Sequence, residues 1–495
     1  MPMRTLKSAA AKSRLLLALA LTIAAGAGGC AVGPDYKRPA FQTSPAYKEE
    51  RGWKPSEPGD AIDRGPWWKI FGDETLDQLE ARIDISNQNV KAAAAAYAQA
   101  KALVDQARAG FWPTLDGTAS RTRASVRGAD SVATGNTGFV TGNTGGATIT
   151  TNNVGVSVDW TLDIWGQIRR TVESDKASAQ ASAAALASAR LSAQGALATD
   201  YFELRAQDEL LRLLHDTVTG EERSLKITES QYRFGVAARA DVVSAQAQLL
   251  SSRAQEINAR VQRALLEHAI AVLVGVQPAD FSVSVMAIRS DVPTVPAGVP
   301  STLLERRPDI AEAERKMAAA NAEIGVAKAA YFPTLSLIGS DSYSNSGNSL
   351  AHLISLPNRA WSVGPSLAGT LFDAGARSAE VRQARASYDA NVADYRQAVL
   401  AGLQQVEDQI ATLRILEQQA VVEVSAVKAA REAEALTLNQ YKAGTVPYSS
   451  VITAQTTRLA AEETALSVLS SRLQASVALI EALGGGWSAT DLPKP

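Results

Sequence analysis

Cysteine occurs once in this chain, at Cys30, so no disulfide can form within it. Histidine occurs three times, at His215, His268 and His352, too few and too scattered to build a Cys/His metal cluster. Aromatic residues make up 6% of the sequence against 46% hydrophobic residues, with heavy use of Ala, Ser, Gln and Leu in their place. That composition favours slender helices packed at close range over a thick globular core. Neither sign of charge dominates, with Lys+Arg 49 against Asp+Glu 51, so nothing suggests a nucleic-acid partner. A catalytic constellation is missing too. The histidines have no nucleophile or ligand set nearby, and Gly484-Gly485-Gly486 has no following Lys and reads as a chain break. The helical Asp and Glu residues show no distinctive spacing and read as solvated faces. No enzyme and no cofactor are expected.

What is present begins with a targeting segment. Arg4, Lys7, Lys12 and Arg14 precede an apolar run over residues 15–25. The run is too short for a permanent bilayer span, which needs roughly 20 residues. It leads through Ala27-Gly28-Gly29 into Cys30, a pattern that fits a bacterial lipoprotein cleaved before Cys30 and acylated on it. An ordinary secretory cleavage site with an incidental cysteine is the alternative. Ala31 follows, not the Asp typical of inner-membrane retention, which favours the outer membrane.

Proline placement then shows where long helices are permitted. None occurs between Pro113 and Pro278 or between Pro365 and Pro447, and proline costs a helix interior about 3 kcal/mol. Each gap leaves room for a rod of roughly 100 Å. Leu197, Leu204, Leu211, Val218 and Leu225 stand seven apart in the first, and Val406, Leu413, Ala420 and Val427 in the second, a stripe that implies supercoiling against neighbouring helices. Each rod ends in the same corner. Gln231-Tyr232-Arg233-Phe234-Gly235 returns as Gln440-Tyr441-Lys442-Ala443-Gly444, and the closing Ala245-Gln246 as Ala454-Gln455, an offset of 209 that marks a duplicated unit.

The material between the helices excludes a plain rod. Ala107 to Leu115 returns as Ala327 to Leu335 at an offset of 220, and in each copy an Ala-rich helix stops at two aromatics and a proline before alternating strand-like runs. The offsets differ by 220 − 209 = 11, so the first hairpin carries 11 more residues, which belong in an exposed loop. Phe111, Trp112, Tyr331 and Phe332 fall at the helix-to-strand junctions, either as a membrane-interface belt or as plugs of the junction core. Two hairpins give four strands, and small closed barrels need about eight. An open sheet cannot sit in lipid, so strands that span a membrane require oligomerisation; two copies would give eight strands and three twelve.

The expected organisation is a signal peptide over 1–29, a lipid-anchored segment over 30–75, a first repeat over 76–277, a linker over 278–305, a second repeat over 306–485 and a tail over 486–495. Within the repeats the hairpins fall near 113–163 and 333–373 and the tip turns near 233–241 and 442–450.

Three further blocks carry a resemblance. Val32-Gly33-Pro34-Asp35-Tyr36-Lys37-Arg38-Pro39 follows Cys30 directly. Trp67-Trp68-x-x-Phe71-x-Asp73-x-x-Leu76 and Leu303-Leu304-x-Arg306-Arg307-Pro308-Asp309-Ile310 come later. In this order, with the tip motifs, they resemble the outer-membrane factor lipoproteins, the TolC/OprM-like (NodT-type) efflux channels, over nearly the whole mature chain. The resemblance implies a mainly α protein with transmembrane β: a homotrimer whose 12-stranded β-barrel continues into a long periplasmic α-helical barrel. It implies a passive conduit for drugs or other small molecules in multidrug resistance. The implied partners are outer-membrane lipid, a periplasmic adaptor (membrane fusion) protein and an inner-membrane pump of the RND type. The chain has no nucleotide or proton-relay motif of its own.

In the resembled family, the Asp six residues after the first tip glycine and the Tyr three before the second belong to the periplasmic gate, here Asp241 and Tyr441. The family's gating Arg is replaced by Val446, and luminal Asp positions carry Ser450 and Thr453, so a gate ion pair must draw on Arg239, Arg233 or Lys442. The other reading of Asp241 is a helix cap. Gly235-Val236 and Gly444-Thr445 are the expected adaptor-docking tips. Two other classes stay open on the sequence: a coiled-coil surface lipoprotein and a periplasmic lipoprotein enzyme.

Overall fold

Two helix–strand–strand–helix–helix runs of matching length make up the chain. In the first, α2 (Gln88–Ala109), β1 (Thr114–Val126), β2 (Ala147–Leu162), α3 (Gln167–Arg233) and α4 (Arg239–Leu273) follow a short α1 (Glu74–Ser86). In the second come α5 (Pro308–Ala329), β3 (Thr334–Ser346), β4 (Arg359–Ala368), α6 (Ala376–Lys442) and α7 (Tyr448–Ala482). The leading helices have 22 residues each, the long ones 67 and the last ones 35. The computed structural model describes residues 31–40, 44–50, 65–126, 147–295 and 303–493. The signal peptide and Cys30 lie outside the described residues.

Local chemistry sets the boundaries. Asp73 caps α1, its Oδ1 accepting from the N–H groups of Thr75 and Leu76 at 2.9 and 3.1 Å. Asn87 does the same for α2, accepting from Asn89 and Val90. The aromatic-proline sequences after α2 and α5 close the helices with i→i+3 bonds, Trp112 N–H to Ala109 O and Phe332 N–H to Ala329 O, both 3.0 Å.

The chain divides into two compact units. One holds the four strands with the flanking helix ends, Gln99–Ala179 and Arg315–Val392, and the described residues up to Arg38. Its sheet is an antiparallel meander of order β1-β2-β3-β4. The residues after Cys30 belong to this unit. Val32 N–H donates to Trp165 O at 3.0 Å, the buried Arg170 reaches Asp35 at 2.8 Å, and Asn321 donates to Pro34 O at 3.0 Å. Of the segment expected over 30–75, the described residues 31–38 fall in this unit and the other described residues in the second.

The second unit comprises Pro39–Ala98, Gln180–Glu314 and Ala393–Pro495. Its core gathers Trp67 and Phe71, the inner face of α1, the Leu197–Leu204 stretch of α3, Val406 and Ile410 of α6 and the end of α7. The upper part of each seven-residue stripe points into it, with Leu197, Leu204 and Val406 fully buried. Tyr201 donates to Asp73 Oδ2 at 2.7 Å within this core. The glycines after α7 serve close packing: a Cβ on Gly484 would stand 2.0 Å from Arg306 O and one on Gly485 2.2 Å from Leu191 Cδ1.

One expectation fails here. Several helical acids are buried, not solvated: Glu80 at 0% exposure, Asp208 and Glu221 at 3% and Glu462 at 7%. Most are answered by residues far along the chain, such as Arg263 on Asp208 at 2.7 Å across 55 residues, which local spacing cannot reveal.

Candidate functional site

The sheet is amphipathic across all four strands. The register pairs Leu115 with Val158, Val158 with Gly339 and Gly339 with Val363, and two residues further along Gly117, Val156, Asp341 and Trp361 form a row on the same face. Alternation makes that face apolar through Leu115, Val154, Val156, Val158, Leu337 and Trp361. Leu115, Trp361, Val363 and Leu367 are each 67–70% exposed, so in one protomer the apolar face is uncovered. The opposite face reads Thr114, Thr118, Ser120 and Thr122 on β1, Asn153 and Ser157 on β2, Ser340 and Ser342 on β3, and Ser362 and Ser366 on β4, with Ser340 and Ser362 hydroxyls 2.8 Å apart. Water suits that face and lipid suits the other. The outer edges of β1 and β4 have no partner strand among the described residues.

The junction aromatics ring the helix end of this sheet. Trp112 is 74% exposed, Tyr331 48% and Phe332 39%, while Phe111 is half-buried. Phe332 stacks on Trp165 at 4.6 Å, and Trp165 Nε1 donates to Pro333 O at 2.8 Å. Trp160 Nε1 donates to Phe111 O at 2.9 Å. Trp112 and Tyr331 are thus left largely open to the surroundings, while Phe111 and Phe332 also pack at the junction.

The two tip turns have the same backbone. The helices stop at Arg233 and Lys442 and resume at Arg239 and Tyr448, so the turns are tighter than expected and Asp241 lies inside α4. Gly235 and Gly444 have φ of 75° and 76°, the left-handed conformation of a helix C-cap. Their N–H groups donate to Tyr232 O and Tyr441 O at 3.0 and 2.9 Å, and the next N–H groups, of Val236 and Thr445, to Gln231 O and Gln440 O at 2.8 and 3.0 Å. All four of these tip residues are exposed or half-buried, with Val236 at 70% and its neighbour Phe234 at 81%.

Asp241 acts as a cap in the protomer: its Oδ2 accepts the Ala238 N–H at 3.2 Å. None of Arg233, Arg239 and Lys442 forms an ion pair with it in the described structure; Arg239 instead lies over the Tyr232 ring, 5.9 Å from its centre. Tyr441 is buried in a small tip core with Ala245, Tyr448 and Val451. Its hydroxyl donates to Thr228 Oγ1 at 3.3 Å, and its ring meets Tyr448 edge-on at 5.1 Å. Burial pushes the Tyr448 hydroxyl up to about 12, with the Glu221, Tyr441 and Asp241 charges adding to it. Tyr441 is raised by burial too, partly offset by the Thr228 hydrogen bond, and Asp241 again adds to the rise. Asp241 and the two tyrosines thus share one electrostatic neighbourhood.

Sequence reasoning missed Tyr448 and a pair of ion pairs above the turns. Glu222 and Arg253 meet at 2.6 Å between α3 and α4; Arg431 and Glu462 meet at 2.6 Å between α6 and α7. The members are equivalent, 431 − 222 = 209 and 462 − 253 = 209, with the signs exchanged. Overlaying the two copies residue by residue would have found them.

Comparisons with known proteins give a consistent picture. The sequence profile of the family described as "Outer membrane efflux protein" matches residues 81–276 and 299–485. The chain is 29% identical over 481 residues, 96% of each chain, to the probable efflux pump outer membrane protein TtgC of Pseudomonas putida. It is 30% identical over 431 residues to the pyoverdine export outer membrane protein OpmQ of Pseudomonas aeruginosa, covering 87% of this chain and 89% of that one. The solved outer-membrane channel OprN superposes with a TM-score of 0.82 at 30% identity, over 92% of this chain and all of that one.

Proposed function

Because this chain belongs to the outer membrane efflux protein family, whose solved members are trimeric outer-membrane channels built from a β-barrel and a helical barrel, we propose that it is the passive outer-membrane conduit of a tripartite system, joined to a periplasmic adaptor and through it to an inner-membrane pump of the RND type. The amphipathic four-stranded sheet carries the reading. A lone sheet with an apolar face, a hydroxyl-lined face and two open edges is unstable in either lipid or water. Three copies pairing β4 with a neighbour's β1 close twelve strands, turn the apolar faces to lipid and line the lumen with Ser, Thr and Asn. The exposed junction aromatics then form the belt at the membrane boundary.

At the tips the proposal assigns control. Asp241 is the charged group of a constriction backed by the buried Tyr441 and Tyr448, and any cation facing Asp241 is supplied by a neighbouring copy, with Arg239, Arg233 and Lys442 as donors. The exposed Phe234-Gly235-Val236 and Gly444-Thr445 turns offer backbone and apolar surface to the adaptor. Cys30 carries the lipid anchor. Single-channel recording of the purified protein in planar bilayers tests the conduit: stable conductance steps are expected, and a protein that forms no pore even with Asp241 removed overturns it. Cys30→Ser should abolish palmitate labelling while leaving the conductance steps in place.

A further inference from the structure

Charge on the lipid-facing side of the sheet is concentrated toward the end away from the helices: counted from the Leu162 row, the paired Asp341 and Arg359 lie in the fourth and fifth rows, and Arg121 and Arg123 in the two rows beyond. Rows on that face run upward from Leu162, Leu335 and Leu367 to Val154, Tyr343 and Arg359; the next row holds Arg121 and Asn152, and the one after it Arg123 and Thr150. Four steps separate the Leu162 row from the Tyr343 row, about 27 Å along the strands and about 21 Å of membrane height at the roughly 35–45° tilt of barrel strands, so the next row, that of Arg121, falls at the margin of a roughly 25 Å apolar band. Arg123 stands one row beyond it. An arginine on the lipid face costs about 2–4 kcal/mol at the midplane but about 0–1 kcal/mol near the interface, so these positions suit headgroup depth.

The arginines there are not all neutralised. Asp341 is the one acidic residue among described residues 118–126, 147–155 and 340–362, and it is taken by Arg359 through two bonds of 2.9 and 2.7 Å. Arg121 donates to the Asn348 carbonyl at 3.1 Å, and Arg123 has no partner among the described residues. The loop over residues 347–358 folds onto the same rows, covering Thr150 and Asn152 through Asn348 and Gly347. It leaves Leu350, Ile354 and Leu356 exposed at 58%, 73% and 80%. Cationic and aliphatic surface thus meet at one level, continuous with the lipid-facing band.

We propose that the loop end of each sheet binds the net-anionic phosphate headgroup of an outer-leaflet lipid. Arg121 and Arg123 take the phosphate oxygens and the exposed aliphatics of the 347–358 loop enter the acyl region. A guanidinium offers two parallel N–H donors to a phosphate, a geometry and charge that a zwitterionic headgroup does not reward equally. The inference rests on the outer-membrane placement of the sheet and is independent of the gate.

The test uses the purified full-length trimer in neutral detergent, titrated with diphosphoryl lipid A, with phosphatidylcholine and with inorganic phosphate, and read by native mass spectrometry. Lipid A should bind in preference to phosphatidylcholine, weakening as salt rises. R121Q/R123Q should reduce its affinity about thirty-fold, the combined effect of two basic residues at an anionic lipid surface, while R121K/R123K, which keeps the charge but loses the paired donors, should fall between that variant and wild type. Conductance in phosphatidylcholine bilayers should be the same for wild type and both variants, which separates failure of this surface from failure of the channel. Equal binding of phosphatidylcholine, competition by inorganic phosphate at matched concentration, or unchanged lipid A affinity in R121Q/R123Q would each overturn the proposal. If neither variant folds, the salt and headgroup dependence of wild-type binding decides.

Discussion

The two helical hairpins share a backbone and differ in nearly everything attached to it. Arm lengths are 67 and 35 residues in both, and the tip glycines differ by one degree in φ. Yet the ring at each corner has a different partner. Tyr232 lies under Arg239 and is 41% exposed; its equivalent Tyr441 packs on Tyr448 and is 6% exposed. The bridging ion pair changes sign and burial, with Glu222 and Arg253 38% and 48% exposed and Glu462 only 6%. Where α3 and α4 carry Leu225 and Leu249, α6 and α7 carry Glu434 and Arg458, joined at 2.7 Å. A turn needs a left-handed glycine and two carbonyls, and both copies keep them; beyond that, each hairpin was free to become apolar or polar. The second is closed by a buried aromatic pair and an ion network, the first by leucines and surface contacts.

The contrast breaks most visibly at the corner rings. Tyr448→Ala removes a fully buried ring and should cost about 3–5 kcal/mol, lowering the thermal midpoint of the helical region and exposing the second tip to protease. Arg239→Ala, at the equivalent position, should cost no more than about 1 kcal/mol. Equal losses would show that the two corners are energetically alike.

The ion pairs give the next effect. Glu462 accepts from Arg431 at 2.6 Å and Arg458 at 2.5 Å; Arg431 is 64% exposed and Arg458 keeps Glu434 at 2.7 Å, so Glu462→Ala should cost about 1–2 kcal/mol. Glu222→Ala should cost under about 1 kcal/mol, as exposed pairs do. R431E/E462R, which copies the polarity of the first hairpin, should recover the Arg431 contact but not the Arg458 one. Denaturant midpoints of the four variants check this, and full recovery would mean that Arg458 contributes nothing.

A buried acid without a hydrogen-bond partner among the described residues behaves oppositely. Neither carboxyl oxygen of Glu80 has a hydrogen bond in the described structure, and burial, with Asp84 and Asp77 adding, lifts its pKa to about 9. Folded protein therefore keeps the proton while unfolded chain releases it above about pH 4.5, so stability falls as pH rises toward 9. Glu80→Gln escapes that loss. Its thermal midpoint should gain steadily on that of wild type as pH rises from about 4.5 to 8. A constant difference across that range would assign the effect to packing.

Most of this architecture is legible in the sequence because it is local and repeated. Gly235 and Gly444, the proline-free runs and the Trp112-Pro113 and Phe332-Pro333 stops each act within a few residues, and the 209 offset confirms one against the other. The sheet could be read as alternating runs, though the runs noticed, 154–160 and 361–367, are shorter than β2 and β4. What the sequence hides is long-range pairing. Arg431 and Glu462 are 31 residues apart, and Asp208 meets Arg263 across 55, so their acids resemble solvated ones until the helices are folded together. The docking of residues 32–35 on Arg170 and Asn321 is hidden for the same reason, and so is the choice between cap and gate for Asp241.

That choice is the smallest effect and the sharpest test of the difference between the tips. Asp241 accepts the Ala238 N–H, whereas the equivalent Ser450 has no such bond and follows Pro447, which has no N–H to offer at that position. Asp241→Ala should cost about 1 kcal/mol through the lost cap, and Ser450→Ala nearly nothing. Asp241→Asn separates the two roles, because the amide oxygen can still accept from Ala238 while the charge is gone. If Asp241 also locks the constriction, closed-state conductance and antibiotic entry rise in both Asp241 variants. If it only caps α4, Asp241→Asn keeps wild-type conductance, and the first tip ceases to be the charged one in any functional sense.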